Sequence, residues 1–239
     1  MEKVEVISKM IDHSLLHPTL TDGELAHGCE LAKRFKVASV CIKPYAVKSA
    51  VELLEGSDIA VGTVIGFPHG SNKIDVKVLE AEHACKDGAV ELDMVVNIGK
   101  VLSEDWEYIE KEIKEVLTVI RRYKGILKVI FENDFLSDDH KIQLCKICNK
   151  LKVDFVKTST GFGFIKGDDG KYSYRGATDH DLKLMRANTS SEIQVKAAGK
   201  VRTFDDVLRV KGLGVTRIGA TATENIITEA KNRMSNLQE

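Results

Sequence analysis

Short apolar runs, each closed by Gly, Pro, Asn, Asp or Thr, recur along the chain. They are MIDHSL (10–15), SVCIKP (39–44), AVGTVIGF (60–67), AVELDMVVN (89–97), LKVIFEND (127–134), DFVKTST (154–160), EIQVKAAG (192–199) and TRIGAT (216–221). Their Val and Ile content and polar terminators predict eight β-strands. Between them the period changes to that of a helix. In 103–125, Trp106, Ile109, Ile113, Leu117 and Ile120 recur at steps of three and four, with Glu, Lys and Arg on the other face. Ser103, Glu104 and Asp105 read as the N-cap and first-turn acids of that helix, and Gly125 as its stop. Ser137-Asp-Asp, Thr178-Asp179 and the capping-box spacing Thr221 to Glu224 read as further helix starts.

Eight strands alternating with eight helices predict an all-parallel sheet. At 239 residues, eight such units fit a closed (β/α)8 TIM barrel, a single domain over residues 1–239, better than an open sheet. The open doubly wound sheet is the alternative, but no GxGxxG follows the first strand. In a barrel the reactive groups lie at the C-terminal strand ends. Alternation within AVELDMVVN puts Glu91, Asp93, Val95 and Asn97 on one face and Leu92, Met94 and Val96 on the other. With the apolar set against the helices, Asp93 points into the barrel. Phe155 and Lys157 likewise point together, opposite Val156.

Lys157 and Lys196 end apolar runs on successive predicted strands, each followed by small residues. Adjacent parallel strands lie about 4.8 Å apart, so the two ammonium groups can be neighbours. A lysine nucleophile must be neutral, which near pH 7 costs roughly 4 kcal/mol against an ordinary pKa of about 10.4. A second ammonium about 4 Å away supplies a repulsion of that order at an effective dielectric near 20. Lys157 then reads as a Schiff-base nucleophile, Lys196 as the charge that lowers its pKa, and Asp93 as a proton carrier. Lysines at strand ends also reach solvent or pair with acids, and spacing alone leaves that open.

Composition narrows the partners. Thirty-five Lys and Arg against 36 Asp and Glu give a net charge of −1, with no bias toward nucleic acid or a membrane surface. The start, MEKVEVISKM, carries acids and no signal-like apolar core, and no apolar run approaches the roughly 18 residues of a membrane span. Five scattered cysteines suit a reducing cytoplasm, and Cys145 and Cys148 read as residues of one helix. Seven histidines show no paired ligand spacing, and His69 reads as shaping the loop after the third strand.

Taken together, IDHSLL, SVCIKP, VIGFPHG, VELDMVVNIG, LKVIFE, FVKTSTGFG, VKAAGKVRT and RIGAT resemble, in order, the deoxyribose-phosphate aldolase family, class I aldolases of the TIM-barrel type. The resemblance implies reversible cleavage of 2-deoxy-D-ribose 5-phosphate to acetaldehyde and D-glyceraldehyde 3-phosphate. It implies a Schiff base on Lys157, a pKa-lowering Lys196, Asp93 in proton transfer, and no metal or cofactor. It also makes a homodimer an expectation. The phosphate is expected at the loops after the seventh and eighth strands: Gly199, Lys200 and Arg202, then Gly219 and Thr221 beside a helix N-terminus. Thr160, in the turn after Lys157, joins the substrate-binding set.

Two departures leave a Schiff-base aldolase with a different aldehyde acceptor as an alternative; a phosphate-binding barrel without turnover is a separate one, against which the intact Lys157, Lys196 and Asp93 argue. Lys200 and Thr221-Ala222 stand where the family usually has glycine and serines. The insert FIKGDDGKYSYR (164–175) makes its loop about ten residues longer, a length associated with lids. Gly167, Gly170 and Gly176 read as a mobile hairpin, from which Lys166, Lys171 or Arg175 could reach the anion.

Overall fold

The computed structural model describes residues 4–235; residues 1–3 and 236–239, the ends of the expected 1–239 unit and the first part of the N-terminal stretch, lie outside it. A short α1 (Val4–Ser8), absent from the sequence-based reading, precedes β1 (Ile11–Leu15). The chain continues through α2 (Asp22–Phe35), β2 (Ser39–Ile42), α3 (Val47–Leu53), β3 (Ala60–Ile65), α4 (Ile74–Lys86) and β4 (Glu91–Val95). Then come α5 (Ile98–Leu102), α6 (Trp106–Arg122), β5 (Ile126–Ile130), α7 (Asp138–Leu151) and β6 (Phe155–Lys157). A hairpin of β7 (Ile165–Lys166) and β8 (Tyr172–Ser173) interrupts the alternation before α8 (Asp179–Asn188) and β9 (Gln194–Ala198). The chain ends through α9 (Phe204–Gly212), β10 (Arg217–Ala220) and α10 (Thr223–Ser235).

Eight strands close into a parallel barrel in the order β1-β10-β9-β6-β5-β4-β3-β2. Closure leaves no sheet edge, and one strand face turns to the helices while the other turns inward. Leu92, Met94, Val129, Val156 and Val195 join the helices' apolar stripes in one continuous buried layer. The α6 stripe is Ile109, Ile113, Val116, Leu117 and Ile120, as its period required. Among the described residues, no helix is long and apolar enough to cross a membrane.

Three local expectations are corrected. Asp105, not Ser103, caps α6, by accepting the Tyr108 N–H, because Ser103 closes the preceding α5. At the other end Lys124, at φ 57, takes the left-handed position just before Gly125. The Thr221–Glu224 box does not start α10: the helix begins at Thr223, whose hydroxyl pairs with His13 Nδ1 at 2.8 Å, while Glu224 reaches Arg34. Ser137 and Thr178 do cap α7 and α8. Cys145 and Cys148 both lie buried within α7.

One buried ion pair sets the exit of β4. Lys77 of α4 donates to Glu112 Oε1 of α6 and to the Val95 carbonyl, both at 2.7 Å, and Glu112 Oε2 accepts the Asn97 N–H at 2.9 Å. Both side chains are fully buried. Burial, the dominant cause, pushes the Lys77 pKa down and the Glu112 pKa up. Each charge is therefore tolerable only beside the other. Glu112→Ala should lower unfolding free energy by about 3–5 kcal/mol by stranding the Lys77 ammonium. Urea unfolding measures it, and a parental midpoint would contradict the pairing.

Candidate active site

Inside the barrel, charged side chains from six strands converge. Asp93 of β4 accepts from Lys157 of β6 and from Lys196 of β9, each Nζ 2.7 Å from the same Oδ2. Lys157 and Lys196 are register partners on adjacent strands. Thr158 locks that register, since its hydroxyl donates to the Ala198 carbonyl and accepts the Ala198 N–H. The sequence-derived pair of lysines with an inward aspartate is therefore brought together. Its exposures, 3% for Lys157, 0% for Lys196 and 1% for Asp93, put it at the bottom of a cavity.

A further layer was missed from sequence. Lys128 of β5 reaches Asp12 of β1 at 2.7 Å and Glu91 of β4 at 2.5 Å, and lies 3.6 Å from Asp93. Asp12 also pairs with Lys196 and with Arg217 of β10, each at 2.5 Å, and Arg217 reaches Glu91 at 2.7 Å. The links of Asp12 to Lys128 and Lys196, and of Arg217 to Glu91, run between non-adjacent strands, so these groups must point into the barrel. The signal was present: Asp12, Lys128 and Arg217 are charges within apolar strand runs, as Lys157 is.

The network distinguishes the two central lysines. Lys196 lies between Asp12 and Asp93, and its pKa is raised because the two carboxylates outweigh its burial. Among the described residues, Lys157 pairs with one carboxylate, Asp93, which it shares with Lys196. Burial is the largest influence on Lys157 and pushes its pKa down; Asp93 opposes this and Lys196 adds to it. The lysine–lysine repulsion expected from sequence is thus present but secondary to desolvation, because Asp93 sits between the ammonium groups. Lys128, Lys196 and Lys157 hold the Asp93 carboxyl well below the carboxylate range against its own burial. Lys128, Lys196 and Arg217 do the same for Asp12.

Above this floor opens a cavity of about 440 Å³. Lys157, Lys196, Thr160, Gly199, Lys200, Arg202, Gly219 and Thr221 all line it, so the expected substrate residues share one pocket. A Cβ on Gly219 would lie 3.4 Å from the Ala198 Cβ and 3.6 Å from the Lys196 Cε, so a larger side chain there would crowd the Lys196 stem. Thr160 is held by Glu132, a buried residue at φ 59 whose carboxylate accepts both the Thr160 N–H and its hydroxyl. A left-handed non-glycine backbone is strained and persists where its surroundings impose it. Cys41 also lines the pocket, its thiol pushed up to about 11 by burial. His69 is exposed in the turn after the cis Phe67–Pro68 bond.

The inserted loop carries the β7–β8 hairpin, tied back to the barrel by Asp134. Asp134 accepts the Arg175 and Gly176 N–H groups and the Arg175 Nε–H, so Arg175 is anchored away from the pocket. Phe162, Phe164 and Tyr174 supply an aromatic wall instead. The Lys200 ammonium stands 5.4 Å above the Tyr174 ring. Lys200 and Arg202 carry side chains without a hydrogen-bond or ion-pair partner among the described residues, at the rim of a barrel whose buried cations are all paired. Asp138, His180 and Asp181 cluster outside the pocket, but Lys141 lies 2.5 Å from Asp181 and 3.2 Å from Asp138 and already supplies their cation.

Comparison with known proteins follows the same lines. Residues 6–221 match the model of the DeoC/LacD family aldolase. The chain is 48% identical to a deoxyribose-phosphate aldolase of Rhodopirellula baltica, over 95% of this chain and 90% of that one. It is 43% identical to one of Caldanaerobacter subterraneus subsp. tengcongensis, over 97% and 96%. A candidate deoxyribose-phosphate aldolase from Coccidioides immitis superposes with a TM-score of 0.88 at 34% identity, covering 96% of this chain and 87% of that one.

The depressed carboxyl groups fix an acid response. Asp12 and Asp93 stay ionised in the folded chain at pH values where an unfolded carboxylate, with a pKa of about 4, takes up a proton. Their contribution is fully present above that range and is lost as pH falls below it toward the folded values. The urea midpoint should fall between about pH 5 and pH 2. Asp12→Asn should lower the neutral plateau and flatten the acid limb; an unchanged acid slope would contradict the assignment.

Proposed function

The chain belongs to the DeoC/LacD aldolase family, and from that membership we propose that it reversibly cleaves 2-deoxy-D-ribose 5-phosphate through a Schiff base on Lys157. The products are acetaldehyde and D-glyceraldehyde 3-phosphate. One observation carries the choice of nucleophile: Lys157 is a buried pocket lysine whose one carboxylate partner among the described residues is shared with a second lysine. Such a group loses its proton more readily than Lys196, which has two carboxylates.

Neutral Lys157 Nζ attacks C1 of the open-chain sugar, and loss of water leaves an iminium. Lys196, which stays cationic beside Asp12 and Asp93, supplies the proton to the departing hydroxyl. As the proton leaves the C3 hydroxyl, the C2–C3 bond breaks and its electrons pass to the iminium nitrogen. This releases the phosphorylated aldehyde and leaves an enamine. Asp93, ionised at neutral pH, accepts and returns protons directly or through a water. Protonation at C2 and hydrolysis of the imine then release acetaldehyde. The nitrogen is the electron sink, so the steps use no metal or cofactor.

At the acceptor end, Thr160, Gly199, Lys200, Arg202, Gly219 and Thr221 bind the phosphorylated portion. The unpaired Lys200 and Arg202 side chains support that placement. The aromatic wall of Phe162, Phe164 and Tyr174 favours a second reading, the same chemistry with a different aldehyde acceptor. Comparing deoxyribose 5-phosphate with unphosphorylated deoxyribose separates the two readings. A cytoplasmic location fits the five free, buried cysteines, and family precedent favours a homodimer, which light scattering tests.

Borohydride with acetaldehyde should reduce an imine onto the Lys157 peptide. Lys157→Arg should abolish adduct and turnover, because guanidinium does not lose its proton at working pH. Undiminished labelling of that variant would overturn the assignment. Lys196→Leu removes a repulsion and leaves Asp93 Oδ2 to Lys157, so both changes raise the Lys157 pKa. Residual activity should then survive only at higher pH; a parental pH–rate profile would exclude the role. Asp93→Asn should depress turnover while imine trapping remains detectable, though slower.

A further inference from the structure

The hairpin of β7 and β8 and the loop after β9 form one packed unit. The Ala177 N–H donates to the Gly199 carbonyl at 3.2 Å. Gly176 and Gly199 approach so closely that a Cβ on Gly176 would lie 2.8 Å from the Gly199 carbonyl group. Both glycines have positive φ, 71° and 87°, which disfavours any side chain at this contact. The Tyr174 ring packs on Gly199, with its Cε2 3.2 Å from where a Cβ would stand, and meets Phe164 edge to face at 5.3 Å. Asp134 fixes the backbone just after Tyr174 through the Arg175 and Gly176 N–H groups. Cross-strand pairing of Lys166 with Tyr172 places Phe164 and Tyr174 on one face of the hairpin, and both rings line the pocket.

Lys200 sits directly beside this wall. Its φ of 61° is a left-handed conformation that a lysine rarely adopts. The side chain leaves it toward the Tyr174 ring, whose negative face attracts the ammonium at 5.4 Å. An exposed lysine without a partner would otherwise sample many rotamers, and a phosphate would have to order it on binding.

We propose that Tyr174 is a specificity-determining residue: its ring holds the Lys200 ammonium at the phosphate end of the pocket, making the inserted hairpin a fixed buttress for anion recognition. The proposal rests on Lys200 serving the substrate phosphate. The dianion meets the ammonium on the side away from the ring, so the ring contact is kept on binding and shields the other side of the contact from water. Tyr174 acts on the phosphate through Lys200 and touches no reacting atom.

The test uses the full chain and inorganic phosphate as probe, measured by titration calorimetry, beside KM for deoxyribose 5-phosphate. The phosphate measurement does not depend on turnover, so failure of the aldolase reading is distinguishable from failure of this one. Lys200→Met should weaken phosphate binding about tenfold or more, and Tyr174→Leu about three- to tenfold. Tyr174→Phe, which keeps the ring face, should stay within about twofold of the parent. The double variant Tyr174→Leu/Lys200→Met should match Lys200→Met alone. A collapsed hairpin would also harm binding in the Lys200→Met background, so additive losses overturn the proposal. So does a Tyr174→Leu chain that binds phosphate as well as or better than the parent. Tyr174→Phe as weak as Tyr174→Leu overturns it too, and an unaffected Lys200→Met would remove both Lys200 and Tyr174 from phosphate recognition.

Discussion

Among the described residues, one ion-pair network inside the barrel joins three carboxylates to four cations: Asp12, Glu91 and Asp93 against Lys128, Lys157, Lys196 and Arg217. Charges removed from water must be neutralised locally, and here one cation is in excess. This network becomes neutral when one lysine gives up its proton. The partner pattern selects which one: Lys128, Lys196 and Arg217 each meet at least two carboxylates, whereas Lys157 meets only Asp93. The chemistry of the site follows from that imbalance more than from repulsion between two lysines.

Such a network is a poor way to stabilise a barrel. Buried ion pairs roughly offset their own desolvation, and apolar packing of the same volume would commonly be more stable. The stability comes from outside the charged centre, where the outward strand residues and the helices form the continuous apolar layer. The two faces of each strand therefore do separate work. Leu92 and Met94 hold β4 in the fold, and Glu91 and Asp93 are thereby committed to the interior. The Lys77–Glu112 pair then fixes the chain just beyond β4, next to the carboxylate that both central lysines share.

Much of this was legible in the residues. Period-2 alternation placed Asp93 inward, and lysines ending two apolar runs marked the reactive pair. Alternation put Glu91 on the face of Asp93, but its partners and the roles of Lys128, Asp12 and Arg217 stayed hidden because those partners are remote: Lys128 and Asp12 lie 116 positions apart, and Arg217 and Asp12 lie 205 apart. A local pattern can identify a charge as buried, but only barrel closure says what it meets. The helix start at Ser103 was misread because a serine can close one helix as readily as it opens the next. Of the three glycines that suggested a hairpin around the insert 164–175, Gly176 serves a close backbone contact that no sequence pattern announces, and the carboxylate of Asp134 holds the adjoining stem. Glu132 offered no signal at all, since its left-handed backbone is visible only in the fold.

The central claim is that burial and an outnumbered carboxylate set hold the Lys157 pKa below that of an ordinary lysine. Nuclear magnetic resonance of the protein with isotope-labelled lysine side chains, titrated from neutral to alkaline pH, reads that value directly. Comparison with a Lys157→Met chain assigns the signal. The account predicts that the Lys157 resonance titrates below the usual lysine pKa of about 10.4, while Lys196 stays protonated beyond it. A Lys157 signal titrating at or above the ordinary value, or a Lys196 signal titrating first, would contradict it.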